Sequence, residues 1–297
     1  MVIDIDRDLD KDARPVHVSA DATAGISCKE ARKPQVVRPE ELEERKQKEI
    51  EWADFRRTIT DPELKKKYEV NTEFYQINRP VDNYVTNWLR TNLAGKDVFE
   101  MACGYIGLVS RARDVLKSAV ASDIAPESIE LAKKNAANDS SFASIDYRVL
   151  DAENTGFPDN SFDVVVEGGA LHHMDLDAAY SEAARILRPG GKFFCIEALR
   201  HNPLIHWYRR RTPHLRTAWE VDHILGRSEI MRGLKYFETI DTRNFHIATL
   251  PAIPFRNTVL KEPLLVTGEV LDTVLTRIPG FKWLSWQCVF VLEKPKK

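Results

Sequence analysis

No stretch of this 297-residue sequence stays apolar over the length a bilayer demands. Its first residues carry Asp4, Asp6, Asp8 and Asp10, where a secretory leader would be basic. Cysteine is scarce: there are four, Cys28, Cys103, Cys195 and Cys288, and no two form a Cys-x-x-Cys pair. That spacing offers neither a disulfide framework nor a zinc site, so a reducing cytoplasmic setting and no metal are expected. Excess positive charge is also missing. The 43 Lys and Arg face 45 Asp and Glu, for a net charge of -2 and a pI near 6.5. This argues against a general nucleic-acid binder. No internal repeat is apparent.

What is present is an ordinary globular composition, 43% hydrophobic and 30% charged, in a chain long enough to bury a large core. Residues 1–38 are polar, with Pro15, Pro34 and Pro39 close by, and read as a flexible tail. Residues 39–96 read as a helical cap. Its first helix is dense in Glu, Lys and Arg and breaks near Asp61-Pro62, and its second sets Val81, Val85, Trp88 and Leu89 on one face. Between them lies the aromatic segment Phe74-Tyr75-Gln76-Ile77.

From Asp97 onward, strands and helices alternate, which predicts a doubly wound parallel sheet covered on both faces. Strands are expected at Val98–Met101, Ala119–Ser122, Ile145–Leu150, Asp163–Val166 and Lys192–Ile196. Helices are expected at Leu108–Lys117, Pro126–Ala136 and Leu176–Leu187. An insert rich in Arg and His occupies about 200–233. Two last strands, at Thr239–Ala248 and Ser285–Leu292, flank a helix near Val266–Thr276.

The segment VFEMACGYIG, Val98–Gly107, reads as a strand stopping in a loop of small residues ahead of a helix. Alone, Ala102-x-Gly104-x-x-Gly107 resembles a dinucleotide loop, and a plain tight turn would look the same. Asp123, some twenty residues on, can accept from both ribose hydroxyls, which NAD and S-adenosylmethionine share. Asp151, followed by Ala152, can accept from an adenine amino group while the neighbouring backbone amide donates to a ring nitrogen. With Glu100, these acids would ring one mouth. A pyrophosphate is disfavoured there, and a sulfonium with an ammonium is favoured. At an effective dielectric near 20, opposite charges about 4 Å apart attract by roughly 4 kcal/mol.

The segments VFEMACGYIG, ASDIAPESIELAKKNA, DAENTGFPDNSFDVVVEGGALHHM and RILRPGGKFF resemble, in order and spacing, the motifs of class I S-adenosylmethionine-dependent methyltransferases. They are most similar to the branch that includes quinone-biosynthesis enzymes. The resemblance covers about 97–197. It implies a Rossmann-like, seven-stranded, mostly parallel sheet with an antiparallel last strand, making 97–297 one domain. It also implies roles for particular residues. Glu100, Ala102 and Gly104 would border the methionine moiety, and Asp123 the ribose, with Ile124 against the adenine face. Asp151 and Ala152 would read the adenine edge, while Glu167 and Gly168 would lie beside the reactive methyl. Ala102 departs from the usual first glycine, and the third glycine is shifted to Gly107.

The acceptor side rests on less. His172 or His173, just past the fourth strand, is the candidate general base. The segment Arg200–Arg216 carries five Arg and three His with no acid. Arg209, Arg210 and Arg211 are therefore the candidates to hold a carboxylate or phosphate, although a solvated basic face, or a network bonded to the acidic helix at Glu40–Glu51, would use the same residues. Tyr75 is the candidate to meet the methionine end of the cofactor. No Asn/Asp-Pro-Pro-aromatic motif ends the fourth strand, and no Pro-Cys dipeptide occurs, so two types of nucleic-acid methylation are set aside. The resulting expectation is a cytoplasmic methyltransferase of a small-molecule acceptor, monomer or homodimer, with no nucleic-acid or membrane partner. The rivals are an NAD(P)-dependent oxidoreductase and a catalytically inactive cofactor-binding partner protein.

Overall fold

The computed structural model describes residues 16–19, 39–137 and 145–297. Its centre is a sheet of eight strands: β1 (Val16–Ser19), β2 (Asp97–Met101), β3 (Ser118–Asp123), β4 (Ile145–Val149), β5 (Phe162–Gly168), β6 (Leu187–Ala198), β7 (Phe237–Phe245) and β8 (Gln287–Pro295). Their order across the sheet is β1-β7-β8-β6-β5-β2-β3-β4. Neighbours from β6 to β4 pair in parallel, whereas β8 runs antiparallel to both β6 and β7. Seven of the strands thus form the expected mostly parallel sheet with a reversed last strand. The eighth, β1, pairs antiparallel with β7 at the edge, four residues of ordered strand where the sequence reads as tail. The rest of 1–38 lies outside the described residues.

The central strands are apolar because both faces are covered. One face packs Phe99, Val165, Phe193 and Phe290 beneath α5 (Leu176–Ile186), whose Ala179, Tyr180 and Ala183 are buried. The other packs Val98, Val164, Val166 and Phe194 against α3 (Arg79–Asn92), which lays Val81, Val85 and Leu89 down as a helical stripe, with Trp88 stacked on Phe194. The cap divides into α1 (Pro39–Thr58) and α2 (Pro62–Glu69), parted where the reading places the break. Glu40 and Glu41 in the first turn of α1, and Arg56 and Arg57 in its last, suit the helix dipole. The fourth helix, α4 (Pro126–Ala137), follows β3. The insert after β6 holds α6 (Pro203–Arg211), α7 (Ala218–His223) and α8 (Arg227–Met231), and α9 (Lys261–Leu275) joins β7 to β8.

One expected helix is absent. Leu108–Lys117 makes only a 3₁₀ turn at Val109–Ala112. The buried Glu100 carboxylate accepts from the amides of Leu108 and Val109, so the loop folds onto its own strand. The backbone then closes through i to i−3 bonds, Arg111 to Leu108 and Val115 to Ala112, rather than an α-helical ladder. A Cβ at Gly107, where φ is +71°, would stand 2.8 Å from Glu100 Oε2, and only glycine permits so tight a fold.

Candidate active site

The chain runs outward through β2, β3 and β4 and then returns to β5, so the loops after β2 and β5 part at their carboxyl ends. Such a switch point is where open α/β sheets bind ligands. A cavity of about 260 Å³ opens there, with Ala102, Gly104, Asp123, Ile124, Asp151, Ala152 and Gly168 among its walls. Register explains the convergence. Glu100 stands opposite Ala121, Asp123 opposite Val149, and Met101 opposite Glu167, so the strand ends finish level.

Asp123 accepts from the amides of Gly104 and Ala125, both at 2.9 Å. Burial raises its pKa against those donors. Ala102 and Gly104 both take positive φ, 50° and 57°, turning their backbone across the cavity floor. Asp151 accepts from the amide of Glu153 at 2.9 Å and from Lys46 Nζ at 2.7 Å.

The cavity's other wall is α1, which contributes Arg45, Lys46, Glu49, Trp52 and Arg57. From sequence α1 reads only as a charged amphipathic helix with Trp52 at helical spacing, and none of its residues is a candidate for the site. Arg45 pairs with Glu153, and Arg57 lies 4.2 Å over the ring of Tyr105. The mouth is therefore of mixed sign, not the purely acidic ring expected.

Three sequence candidates sit elsewhere. Glu100 is buried behind the loop, and its carboxylate is used by loop amides. Burial pushes its pKa up to about 7 against those bonds. Glu167 is also fully buried. It accepts from the amide of Ala170 and is held well above the carboxylate range by burial and by neighbouring Glu197. Tyr75 belongs to a second compartment, its ring centroid 5.4 Å from that of Trp286.

That second cavity, about 110 Å³, is walled by Phe74, Tyr75, Tyr208 and Trp286, with His172, Arg209 and Arg216. Glu220 borders both cavities. The basic segment splits. Arg209 is buried, donates to the carbonyl of Leu199 at 2.8 Å, and is lowered to about 10 by burial and by Arg216. Arg210 and Arg211 point outward and do not line the cavity, and Arg211 covers Trp207 at 4.2 Å. Arg216 Nε meets Glu220 Oε1 at 3.1 Å rather than the acidic helix.

The two histidines face different cavities. His172 Nδ1 lies 2.7 Å from Oε2 of the buried Glu197, whose Oε1 accepts from the amide of Leu171. His173 lines the larger cavity, with Nδ1 2.9 Å from Glu49 Oε2. Burial works to lower the pKa of His173, but Glu49 holds it above the usual value. Glu197 is a second residue missed from sequence. Its signal is an acid following the apolar run Phe193–Ile196 near the end of β6.

Residues 99–195 match a protein family described as a methyltransferase domain. The ubiquinone/menaquinone biosynthesis C-methyltransferase UbiE of Rickettsia massiliae is 39% identical over 93 residues, which is 30% of this chain and 38% of that protein. Its counterpart in Rickettsia bellii is 40% identical over 77 residues, 26% of this chain and 31% of that one. The similarity thus spans well under half the length of these relatives. Among solved structures, geranyl diphosphate C-methyltransferase from Streptomyces coelicolor aligns over 74% of this chain and 80% of its own, at 15% identity and a TM-score of 0.49. Phosphoethanolamine N-methyltransferase 2 of Haemonchus contortus aligns over 72% and 53%, at 18% identity and a TM-score of 0.48.

Proposed function

We propose that this chain, whose residues 99–195 are a methyltransferase domain of class I type, transfers the methyl group of S-adenosylmethionine to a small anionic acceptor. The observation that carries this is the larger cavity, where a glycine loop and two strand-end carboxylates, Asp123 and Asp151, meet at one switch point. In this reading Asp123 accepts from the ribose hydroxyls and Ile124 packs on the adenine face. Asp151 and the Ala152 amide read the adenine edge. Ala102, Gly104 and Gly168 border the methionine and methyl end. Lys46 must leave Asp151, or share it, when adenine enters.

The smaller cavity is the acceptor compartment. Its aromatic walls suit an apolar or planar body, and the buried Arg209 and Arg216 suit a carboxylate or phosphate. The reading supports Arg209 of the original three arginines, since Arg210 and Arg211 lie outside this cavity. Holding acceptor and sulfonium in line supplies much of the rate acceleration. The imidazoles of His172 and His173, oriented by Glu197 and Glu49, bring basic nitrogens to the junction.

No helix among the described residues is long and apolar enough to cross a membrane. The three described cysteines are buried and free, which fits a reducing cytoplasm. Titration calorimetry tests the cofactor assignment. S-adenosylhomocysteine should bind and NAD should not. The reverse result would make the chain an oxidoreductase instead.

A further inference from the structure

Two adjacent imidazoles and a carboxylate meet where the two cavities adjoin. A ring nitrogen of His172, a ring nitrogen of His173 and a carboxylate oxygen of Glu220 all lie within 4.8 Å of one another. The imidazole rings are 4.3 Å apart between centroids. Each has a carboxylate on Nδ1, Glu197 Oε2 at 2.7 Å and Glu49 Oε2 at 2.9 Å. Both supporting acids are anchored in turn. Glu197 Oε1 accepts from the Leu171 amide at 2.7 Å, and Glu49 Oε1 accepts from Thr217 Oγ1 at 2.6 Å. The hydrogen bond from His172 Nδ1 to Glu197 keeps the proton on that nitrogen and leaves the Nε2 lone pair outward, the arrangement that supports metal-bound imidazoles. A general base needs one such pair. This site sets a second imidazole, in contact with Glu49, beside that pair, with a third carboxylate between the cavities.

We propose that His172, His173 and Glu220 bind a divalent transition-metal ion whose open positions take an anionic oxygen of the acceptor. The inference deepens the methyltransferase reading and rests on it for the acceptor, although the ion itself can be tested without it. Two imidazoles and one carboxylate suit borderline ions such as Zn²⁺ or Co²⁺ better than Ca²⁺ or Mg²⁺. Around a tetrahedral ion with bonds of about 2.0–2.1 Å, ligand atoms stand about 3.3 Å apart. The trio must therefore contract, and the mobile member is Glu220, whose Oε1 is held by Arg216 Nε at 3.1 Å on the short helix α7. Turning Glu220 to the ion releases Arg216 toward the acceptor cavity, which it already lines.

The test uses the full chain, stripped with chelator and titrated with Co²⁺ under calorimetry and visible absorption. One Co²⁺ per chain is expected, with ligand-field bands. A paramagnetically shifted exchangeable proton signal should also appear, from the His172 Nδ1–H that Glu197 holds. Glu220→Gln and His173→Asn should each weaken Co²⁺ binding at least tenfold, and Glu197→Gln about ten- to hundredfold. Asp123→Ala should weaken S-adenosylhomocysteine binding and keep Co²⁺, so the cofactor and metal readings fail separately. Absence of uptake by the wild type, or uptake unchanged in all three ligand and support variants, overturns the site. The wild-type proton signal decides the question if a variant does not fold: its appearance upholds the site, and its absence overturns it.

Discussion

The larger cavity takes its floor from the ends of neighbouring strands, and its two strand-end carboxylates are held by nearby backbone amides. Asp123 is held by Gly104 and Ala125, and Asp151 by Glu153. The smaller cavity gathers Phe74, His172, Arg209 and Trp286, drawn from four distant stretches of chain, and buries a guanidinium that donates to the Leu199 carbonyl. The first is preorganised by backbone, and a shared cofactor can be met by a shared frame. The second is assembled from side chains on the cap, the insert and the last strand, where acceptor specificity can change without disturbing the sheet.

The largest effect expected is on the frame that supports the first cavity. Glu100 has an ordinary pKa of 4.5 and is pushed up to about 7 by burial. The folded state therefore holds this proton more tightly than the unfolded chain. Stability from this group is complete below about pH 4.5 and is lost as pH rises through 7. From those two values the loss is about 3 kcal/mol. Urea midpoints between pH 4.5 and 8 should fall more steeply for wild type than for Glu100→Gln. Parallel profiles would mean that the carboxylate is ionised at no cost in its niche.

Asp123→Ala should weaken S-adenosylhomocysteine binding by about 1–3 kcal/mol, read by calorimetry, because two amides and the ribose hydroxyls lose their acceptor. Unchanged affinity would move the cofactor out of the larger cavity.

Once an acceptor is in hand, Arg209→Lys should raise its KM about tenfold while cofactor affinity holds, since a point charge cannot reproduce the guanidinium fork. Arg210→Lys and Arg211→Lys should leave KM unchanged. Equal effects in all three would erase the distinction between buried and exposed arginines on α6.

Smallest is Lys46→Met. Removing the partner that occupies Asp151 should tighten S-adenosylhomocysteine binding two- to threefold, the scale of a partly exposed ion pair. Weaker binding would instead make Lys46 a cofactor contact.

The difference between the cavities also governs what can be read from residues alone. Asp123 and Asp151 are legible because each ends a strand whose apolar run announces its position, and parallel strands in register bring such ends level. Glu100 shares that signal, and its carboxylate accepts from the amides of Leu108 and Val109. A carboxylate can turn back to its own loop as readily as toward a ligand. The same turn cancels the helix expected at Leu108–Lys117, because local propensity carries no information about two amides captured by a buried acid. Arg209, Arg210 and Arg211 are indistinguishable in sequence, and helix phase against the packed insert separates them.

The alternation of strand and helix, the small-residue loop after β2 and the acids ending two strands were determined by sequence, since each depends on contacts within a few residues or on a period of two or 3.6. The tertiary structure decided what surrounds that frame. It set α1 over the cavity with Lys46 against Asp151, Glu197 behind His172, and Glu220 between two compartments. These are contacts between groups tens to more than a hundred residues apart, and no local pattern encodes them. They form because the sheet, once built, leaves its carboxyl edge open, and the cap and insert bury their apolar faces against it.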